Sequence, residues 1–243
     1  MDNTNNSCCC GETEHFSGCL ICGAPVTYSV ESSVKTCSIC HKEQLTNTVC
    51  ENGHFVCDAC HSYGTYAPVI TTLRDSTEKD ALLLLEKIMD LPSVHMHGPE
   101  HHAIVPCVLL TAFRNNGEHM DYDAALSEIC KRAKQVPGGT CGYWGVCGAA
   151  AGAGIFMSVM TGSSPLHKDA WPFPQKLVSI ILSRLADVGG PRCCKRTSRI
   201  AIEEAVHFYS QFCSVNIPSS SITCKYCEDN RECIQEDCPY YPE

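Results

Sequence analysis

The sequence has no long Lys/Arg-rich run, and its formal net charge is -9. Phosphate backbones are held by clustered positive charge, so nucleic acid is not an expected partner. No apolar stretch reaches the ~18 residues that a membrane-spanning helix requires, so no membrane partner is expected either. The opening residues, MDNTNNSCCC, lack the basic and apolar segments of a secretory signal, and a cytoplasmic location is expected. The small-residue run GAAAGAG (148–154) contains no G-x-G-x-x-G after a strand, and no phosphate loop occurs elsewhere. Nucleotide chemistry is therefore disfavoured. Charged residues are only 19% and hydrophobic ones 44% of 243 residues, ordinary values for a chain that buries a core.

Cysteine is what the chain has in excess: 21 residues. An odd count and a reducing compartment both argue against a disulfide scaffold. Cys-x-x-Cys pairs recur instead, and such pairs grip one metal ion from a tight turn. Metal or redox chemistry is the expected use of most of these thiols.

Three regions follow from composition: a cysteine-dense module over 1–66, a helical domain over 67–218, and a cysteine-rich tail over 219–243. The segment SVNIPSSSIT (214–223) reads as the linker before the tail. Six helical patterns fill the middle region. STEKDALLLLEKIMD starts from Ser76 as candidate N-cap. HHAIVPCVLLTAFRNNG stops at Asn-Asn-Gly, and DYDAALSEICKRAKQV places acids first and bases last. CGAAAGAGIFMSVMTG, PFPQKLVSIILSRLADVGG and CCKRTSRIAIEEAVHFYSQFC complete the set. The fold class is mainly α: about six helices, a small treble-clef or zinc-ribbon-like N-terminal module with any strands confined to its hairpins, and the tail.

The module carries Cys19-x2-Cys22, Cys37-x2-Cys40 and Cys57-x2-Cys60, with Cys50 and His54 before the last pair. Eight ligands of zinc type suffice for two closed tetrahedral sites. A segment of ~60 residues buries too little apolar surface to fold securely alone, and metal would supply the missing stability. CENGHFVCDAC resembles the central segment of RING-type and treble-clef zinc domains. That resemblance implies one ion on Cys19, Cys22, Cys57 and Cys60 and a second on Cys37, Cys40, Cys50 and His54. The rival pairing is a ribbon of Cys19, Cys22, Cys37 and Cys40. Cys8, Cys9 and Cys10 read as a thiol-rich tip with no site.

VHMHGPEHHAIVPC holds His95, His97, His101 and His102 around Glu100. His97 and His101 flank a Gly-Pro turn and could converge, with Glu100 as ligand or base. The alternative is that these histidines cap the helix or face solvent. His119, His167 and His207 read as structural.

The remaining thiols gather where side chains are smallest. Cys141 lies in a glycine-rich loop, Cys147 opens one helix, and Cys193 and Cys194 open the last. Helix starts favour thiolates through free N–H groups, and Arg192, Lys195 and Arg196 add positive charge. If the two helix starts meet, Cys141, Cys147, Cys193 and Cys194 form a redox or cluster site. The competing reading of Gly148, Gly152 and Gly154 with their alanines is tight helix packing around inert thiols. In the tail, Cys224, Cys227, Cys233 and Cys238 are spaced C-x2-C-x5-C-x4-C-P, a set that accepts an iron–sulfur cluster or zinc, with iron–sulfur narrowly preferred.

HGPEHHAIVPCVLL, VPGGTCGYWGVCGAAAGAGIFMSV and CPYYP resemble an uncharacterised prokaryotic cysteine-rich family, a domain of unknown function, over roughly residues 19 to 243. GGTCG and the Cys193-Cys194 pair are more weakly similar to the redox-associated proteins named for a C-GCAxxG-C-C pattern, although here Cys147 precedes GAAAG and the central Gly-Cys-Ala is missing. Neither resemblance implies an established activity. The leading expectation is a zinc and iron–sulfur protein with a thiol-based redox or sulfur-handling role, an oxidoreductase or sulfur-transfer enzyme if it is an enzyme. Its expected partner is a protein or a small thiol or sulfur compound. The alternatives are a non-catalytic zinc-stabilised adaptor and a metal-dependent hydrolase using His97, His101 and Glu100.

Overall fold

A computed structural model describes residues 17–211 and 216–243. The expectation for Cys8, Cys9 and Cys10 lies outside the described residues. The described part opens with an antiparallel hairpin, β1 (Val26–Thr36) and β2 (Glu43–Cys50), paired from Val26 opposite Cys50 to Tyr28 opposite Thr48 and, after an irregularity that shifts the register, from Ser33 opposite Thr46 to Thr36 opposite Glu43. β1 is exposed along almost its whole length, and β2 is exposed at its start and half-buried beyond it, with only Cys50 buried, so this hairpin buries little apolar surface. The short α1 (Asp58–His61) and α2 (Tyr66–Asp75) lead into the helical domain.

The domain is built from α3 (Ala81–Met89), α4 (His101–Asn115), α5 (Tyr122–Ala133), α6 (Thr140–Tyr143), α7 (Gly148–Met160), α8 (Pro172–Val188) and α9 (Cys194–Ser210). Among the described residues there are nine helices rather than about six. All six expected helices are present. The additional α1 and α6 are four residues long, below the reach of periodicity. α2 has Pro68 inside it, but in the first turn, where a missing N–H costs nothing. Ser76 does not start α3. It terminates α2, and Asp80 is the N-cap, its carboxylate accepting from the Leu82 and Leu83 amides at 2.9 and 3.0 Å. A carboxylate also complements the positive helix end, which a serine hydroxyl does less well.

α4 is the central helix. Its residues from His101 to Phe113 are all buried, and it touches α2, α3, α5, α7 and α9. A helix apolar all round must be enclosed on every side. The aromatic rings of Phe113, Phe156 and Tyr209 pack edge to face at its C-terminal half, with Phe113 4.9 Å from Phe156 and 4.2 Å from Tyr209.

The small-residue face of α7 lies against α4. A Cβ built on Gly152 would fall 2.5 Å from the His102 carbonyl oxygen and 2.9 Å from Pro106 Cδ. On another face, a Cβ at Gly154 would meet Val178 of α8 at 2.5 Å. α7 is thus wedged between two helices at a spacing that only glycine permits.

The tail does not hang free. Pro218 accepts a hydrogen bond from the Ala81 amide, Ser220 bonds Asp80, and Tyr226 donates to Asp90. The fully buried Arg199 grips Glu86 through two bonds of 2.7 and 2.9 Å, and its guanidinium lies 5.6 and 5.4 Å from the Tyr226 and Tyr240 rings. Burial opposes that charge, but the Glu86 carboxylate outweighs it and raises the Arg199 pKa. Replacing Arg199 with methionine is expected to cost ~3–5 kcal/mol, because Glu86 is left as an unpaired, nearly buried charge. Denaturant unfolding measures this, and a second change, Glu86→Leu, should recover much of the loss. If Arg199→Met is neutral by itself, the pair is not anchoring the domain.

Candidate functional site

The eight module ligands fall into two knots. Cys19, Cys22, Cys50 and His54 form one, and Cys37, Cys40, Cys57 and Cys60 form the other, each with its ligand atoms within 4.8 Å of one another. The pairing implied by the treble-clef resemblance is therefore corrected: the ligand pairs interleave, first with third and second with fourth. The hairpin register is the reason. Val26 opposite Cys50 brings the pair before β1 to the end of β2, whereas the eight residues of β2, about 26 Å of strand, keep Cys40 away from Cys50. β1 excludes the ribbon pairing of Cys22 with Cys37 in the same way.

The knot geometry suits a tetrahedral ion. Metal–thiolate bonds of ~2.3 Å place neighbouring sulfurs ~3.8 Å apart. Cys22 and Cys50 are 3.9 Å apart and Cys40 and Cys57 3.8 Å. His54 turns Nδ1 to Cys22 at 3.3 Å and to Cys50 at 3.6 Å. Within the second knot the thiols are driven apart in acidity. Against the cost of burial, the Cys40, Cys57 and Ile39 amides bring Cys37 down to about 6, while burial and the other three thiols push Cys60 up to about 12. Four thiolates cannot ionise side by side without a cation. The donor sets are compatible with zinc.

Between the hairpin and the helical domain lies a cleft of about 750 Å³. The hairpin leans over it: the Tyr143 hydroxyl donates to the Ser29 carbonyl at 2.9 Å, and the Arg192 guanidinium sits 4.9 Å from the Tyr28 ring centre. Below, the Gly138 amide donates to Asp58 at 2.7 Å and ties α1 to the glycine-rich loop. Cys141, Cys147 and Cys194 all line this cleft, as do His97 and His101. Three helix starts thus deliver a thiol each to one space. Cys193 does not join them. It caps α9, its sulfur accepting from the Arg196 amide at 3.4 Å, and the titratable groups around it are Arg196, Cys224 and Arg199. Adjacent residues at a helix start diverge, so the expected four-cysteine group divides between Cys193 and the rest. No three sulfurs among Cys141, Cys147, Cys193 and Cys194 lie within 4.8 Å of one another, so no mononuclear thiolate site is preformed there among the described residues.

The expectation of acidic thiols at these helix starts is also corrected. Burial raises the pKa of Cys147 although the Ala150 and Ala149 amides and the Thr197 hydroxyl favour its thiolate. Burial pushes Cys194 up to about 12, against Arg192 and the Gly98 amide. Desolvation outweighs the helix end because the sulfurs are enclosed. Lys195 gives no help: its ammonium donates to the Met89 carbonyl at 2.9 Å and lies 4.4 Å from the Tyr226 ring centre.

The histidines are divided among separate duties. His97 accepts from the Cys194 amide at Nδ1 (3.4 Å), so Nε2–H donates to Asn230 (3.0 Å) and Glu232 (3.3 Å) of the tail. His101 is nearly inaccessible, with Nε2 on the His95 carbonyl (3.0 Å) and Nδ1 at 3.4 Å from the Ser198 hydroxyl. Both ring nitrogens of each are engaged, and Glu100 does not face this pair. His102 donates from Nδ1 to the Val136 carbonyl at 3.0 Å and lays its ring against Gly148, where an added Cβ would fall 2.0 Å from it. Glu100, fully buried, instead accepts from His95 Nδ1 at 2.9 Å and His61 Nδ1 at 3.2 Å. Burial resists its ionisation, yet these two hydrogen bonds hold the carboxyl well below the usual range. The sequence reading missed His61. Its one signal was position, directly after the last module ligand, Cys60, at the end of α1.

Among the described residues, no three of Cys224, Cys227, Cys233 and Cys238 bring their sulfurs within 4.8 Å of one another. As folded they do not make a single-ion tetrahedron. The Tyr226 amide donates to Cys224 and the Gln235 amide to Cys233, both at 3.4 Å. Cys107 and Cys130, not singled out in sequence, meet at 3.7 Å between α4 and α5.

No curated protein and no solved structure matches the chain. The model of one family matches residues 69–241, a span that takes in the helical domain and the tail but not the two knots. On that match the chain belongs to DUF5714, a family of unknown function.

Proposed function

We propose that this protein is a cytoplasmic, zinc-stabilised protein whose cleft carries out thiol-based redox or sulfur-handling chemistry. The observation that carries the reading is the arrival of Cys141, Cys147 and Cys194 from three separate helix starts in one cleft of about 750 Å³. Packing alone accounts for Gly152 and Gly154, but it gives no reason for three thiols to line one cleft. Their burial keeps Cys147 and Cys194 as thiols until a metal ion displaces the proton, or until one of them takes the outer sulfur of a persulfide donor, whose S–S bond breaks as the donor leaves as a thiol carrying the proton. The two knots then serve as structural zinc sites that hold the roof of the cleft. The tail cysteines are offered to an iron–sulfur cluster, which spreads its thiolates over several irons and so does not need the tight spacing of a single ion.

The test is anaerobic purification with metal and acid-labile sulfide analysis, a visible spectrum, and thiol mapping with and without small persulfide donors. The expected result is two zinc per chain, iron with acid-labile sulfide from the tail, and protection or persulfidation centred on Cys141, Cys147 and Cys194. Unchanged reactivity of all three toward every donor would sink the thiol reading. It would favour the adaptor, for which Val30 (97% exposed), Leu45 (70%) and Trp144 (66%) provide apolar surface around the hairpin.

A further inference from the structure

We propose a third metal site, formed by His61, His95 and Glu100 in the wall of the cleft, that takes a single divalent first-row cation. It is separate from both cysteine knots, contains no sulfur, and draws one ligand from α1, one from the loop before α4 and one from the start of α4 itself.

The geometry supports this first. The three ligand atoms lie within 4.8 Å of one another, and the carboxylate reaches both imidazoles through separate oxygens, Oε1 at 2.9 Å from His95 Nδ1 and Oε2 at 3.2 Å from His61 Nδ1. Ligand atoms at adjacent corners of a six-coordinate ion with bonds of ~2.1 Å are ~3.0 Å apart. The chemistry of the set supports it next. Two imidazoles and one carboxylate, with the other positions open, suit iron(II) or zinc. Exposure agrees with open positions. Glu100 is completely buried, whereas the His61 and His95 side chains keep 19% and 29% of their surface, and both line the cleft. An incoming group would therefore reach the ion only from the cleft side.

Gly98 supplies an independent observation. A Cβ at this position would fall 2.1 Å from Glu100 Oε2 and 2.5 Å from His61 Cε1. Its φ is not in the left-handed region, so backbone conformation does not require glycine there. What requires it is the space beside the carboxylate and the imidazole. The ligands are also held from behind, since His101 donates to the His95 carbonyl and the His95 amide donates to Glu100 Oε1 at 3.2 Å. Such supports fix ligand direction before an ion arrives. A hydrogen-bonded His–Glu–His triplet alone would explain the distances and the close packing on Gly98, but not why both imidazoles open onto the cleft.

The site shares the cleft with the proposed thiol chemistry, and the experiment keeps the two apart. The full chain is loaded with two zinc equivalents and titrated anaerobically with cobalt(II). The chain carries Cys224→Ser and Cys227→Ser so that the tail takes no cobalt, and the expected result is one further equivalent with weak visible bands and no sulfur-to-metal charge transfer. His95→Asn and Glu100→Gln should each weaken it more than about a hundredfold, since even outer partners of a ligand cost about ten- to a hundredfold. Gly98→Ala should weaken it too, and Cys141→Ser with Cys147→Ser should leave it unchanged. Zinc content and far-UV circular dichroism report folding, and His61→Asn replaces Glu100→Gln if the buried change does not fold. Absence of the extra equivalent overturns the proposal. So does cobalt binding that survives in the folded histidine variants, or sulfur charge transfer lost with Cys147→Ser. Failure of the thiol mapping alone leaves this site standing.

Discussion

A Gly152→Leu variant will be destabilised by ~3 kcal/mol or more, at or beyond the top of the usual overpacking range. The first atom of the new side chain would fall 2.5 Å from the His102 carbonyl oxygen and 2.9 Å from Pro106. Neither is the flexible end of a side chain, so relief requires α4 and α7 to separate. Among the described residues those two helices form the most extensive helix–helix contact, and the core would open along it. Denaturant unfolding measures the loss. Alkylation of Cys147 should rise only as the unfolded fraction rises, because Gly152 packs on backbone and not on the cleft. Gly148→Ala is the informative contrast. There the clash is with the His102 ring, a side chain that lines the cleft, so relief requires only that the ring give up its bond to the Val136 carbonyl and shift, and thiol reactivity should change while the helices stay folded. A Gly152→Leu protein with wild-type stability would mean that the α4–α7 contact is not as close as drawn.

Stripping metal with a chelator is expected to unfold the N-terminal module and leave the helical domain intact. The module's own buried cluster is Cys37, Phe55 and Cys57, and two of these are ligands. Structural zinc provides ~10–16 kcal/mol of folding free energy in small zinc domains, far more than one phenylalanine can replace. The helical domain instead buries a continuous core from Val69 to Tyr226 that uses no ligand of either knot. Hydrogen exchange read by mass spectrometry should show Val26–Cys50 losing protection on chelation, with α4, α7 and α9 unchanged. Cys50→Ser and Cys57→Ser should each release a different ion. Hairpin amides that stay protected in metal-free protein would show that the knots are not what holds the module. With the roof melted, the Tyr143–Ser29 and Gly138–Asp58 bonds are lost, and Cys141, Cys147 and Cys194 should all become more reactive.

Much of the architecture was legible because it is written in local patterns. Helix periodicity located α3, α4, α5, α7, α8 and α9, and their stops at Asn116-Gly117 and Gly189-Gly190 were readable from residue type. Cys-x-x-Cys spacing identified the eight knot ligands because a chelating turn is itself a local object. α2 is not among the six expected helices; it is only ten residues long with Pro68 in its first turn, and just Val69 and Leu73 are buried on it, a weak local pattern.

The sequence alone determined which residues could bind metal and where the chain would coil into helices. Both depend on neighbours a few positions away. Only the tertiary structure decided which ligands share an ion, since that follows from strand register and from the length of β2. It also sent Cys194 into the cleft and Cys193 toward the tail, and it gave Glu100 to His61 and His95 in place of His97 and His101. Burial reversed the expected acidity of the helix-start thiols, because desolvation depends on everything packed around a sulfur and not on the few amides of its own helix.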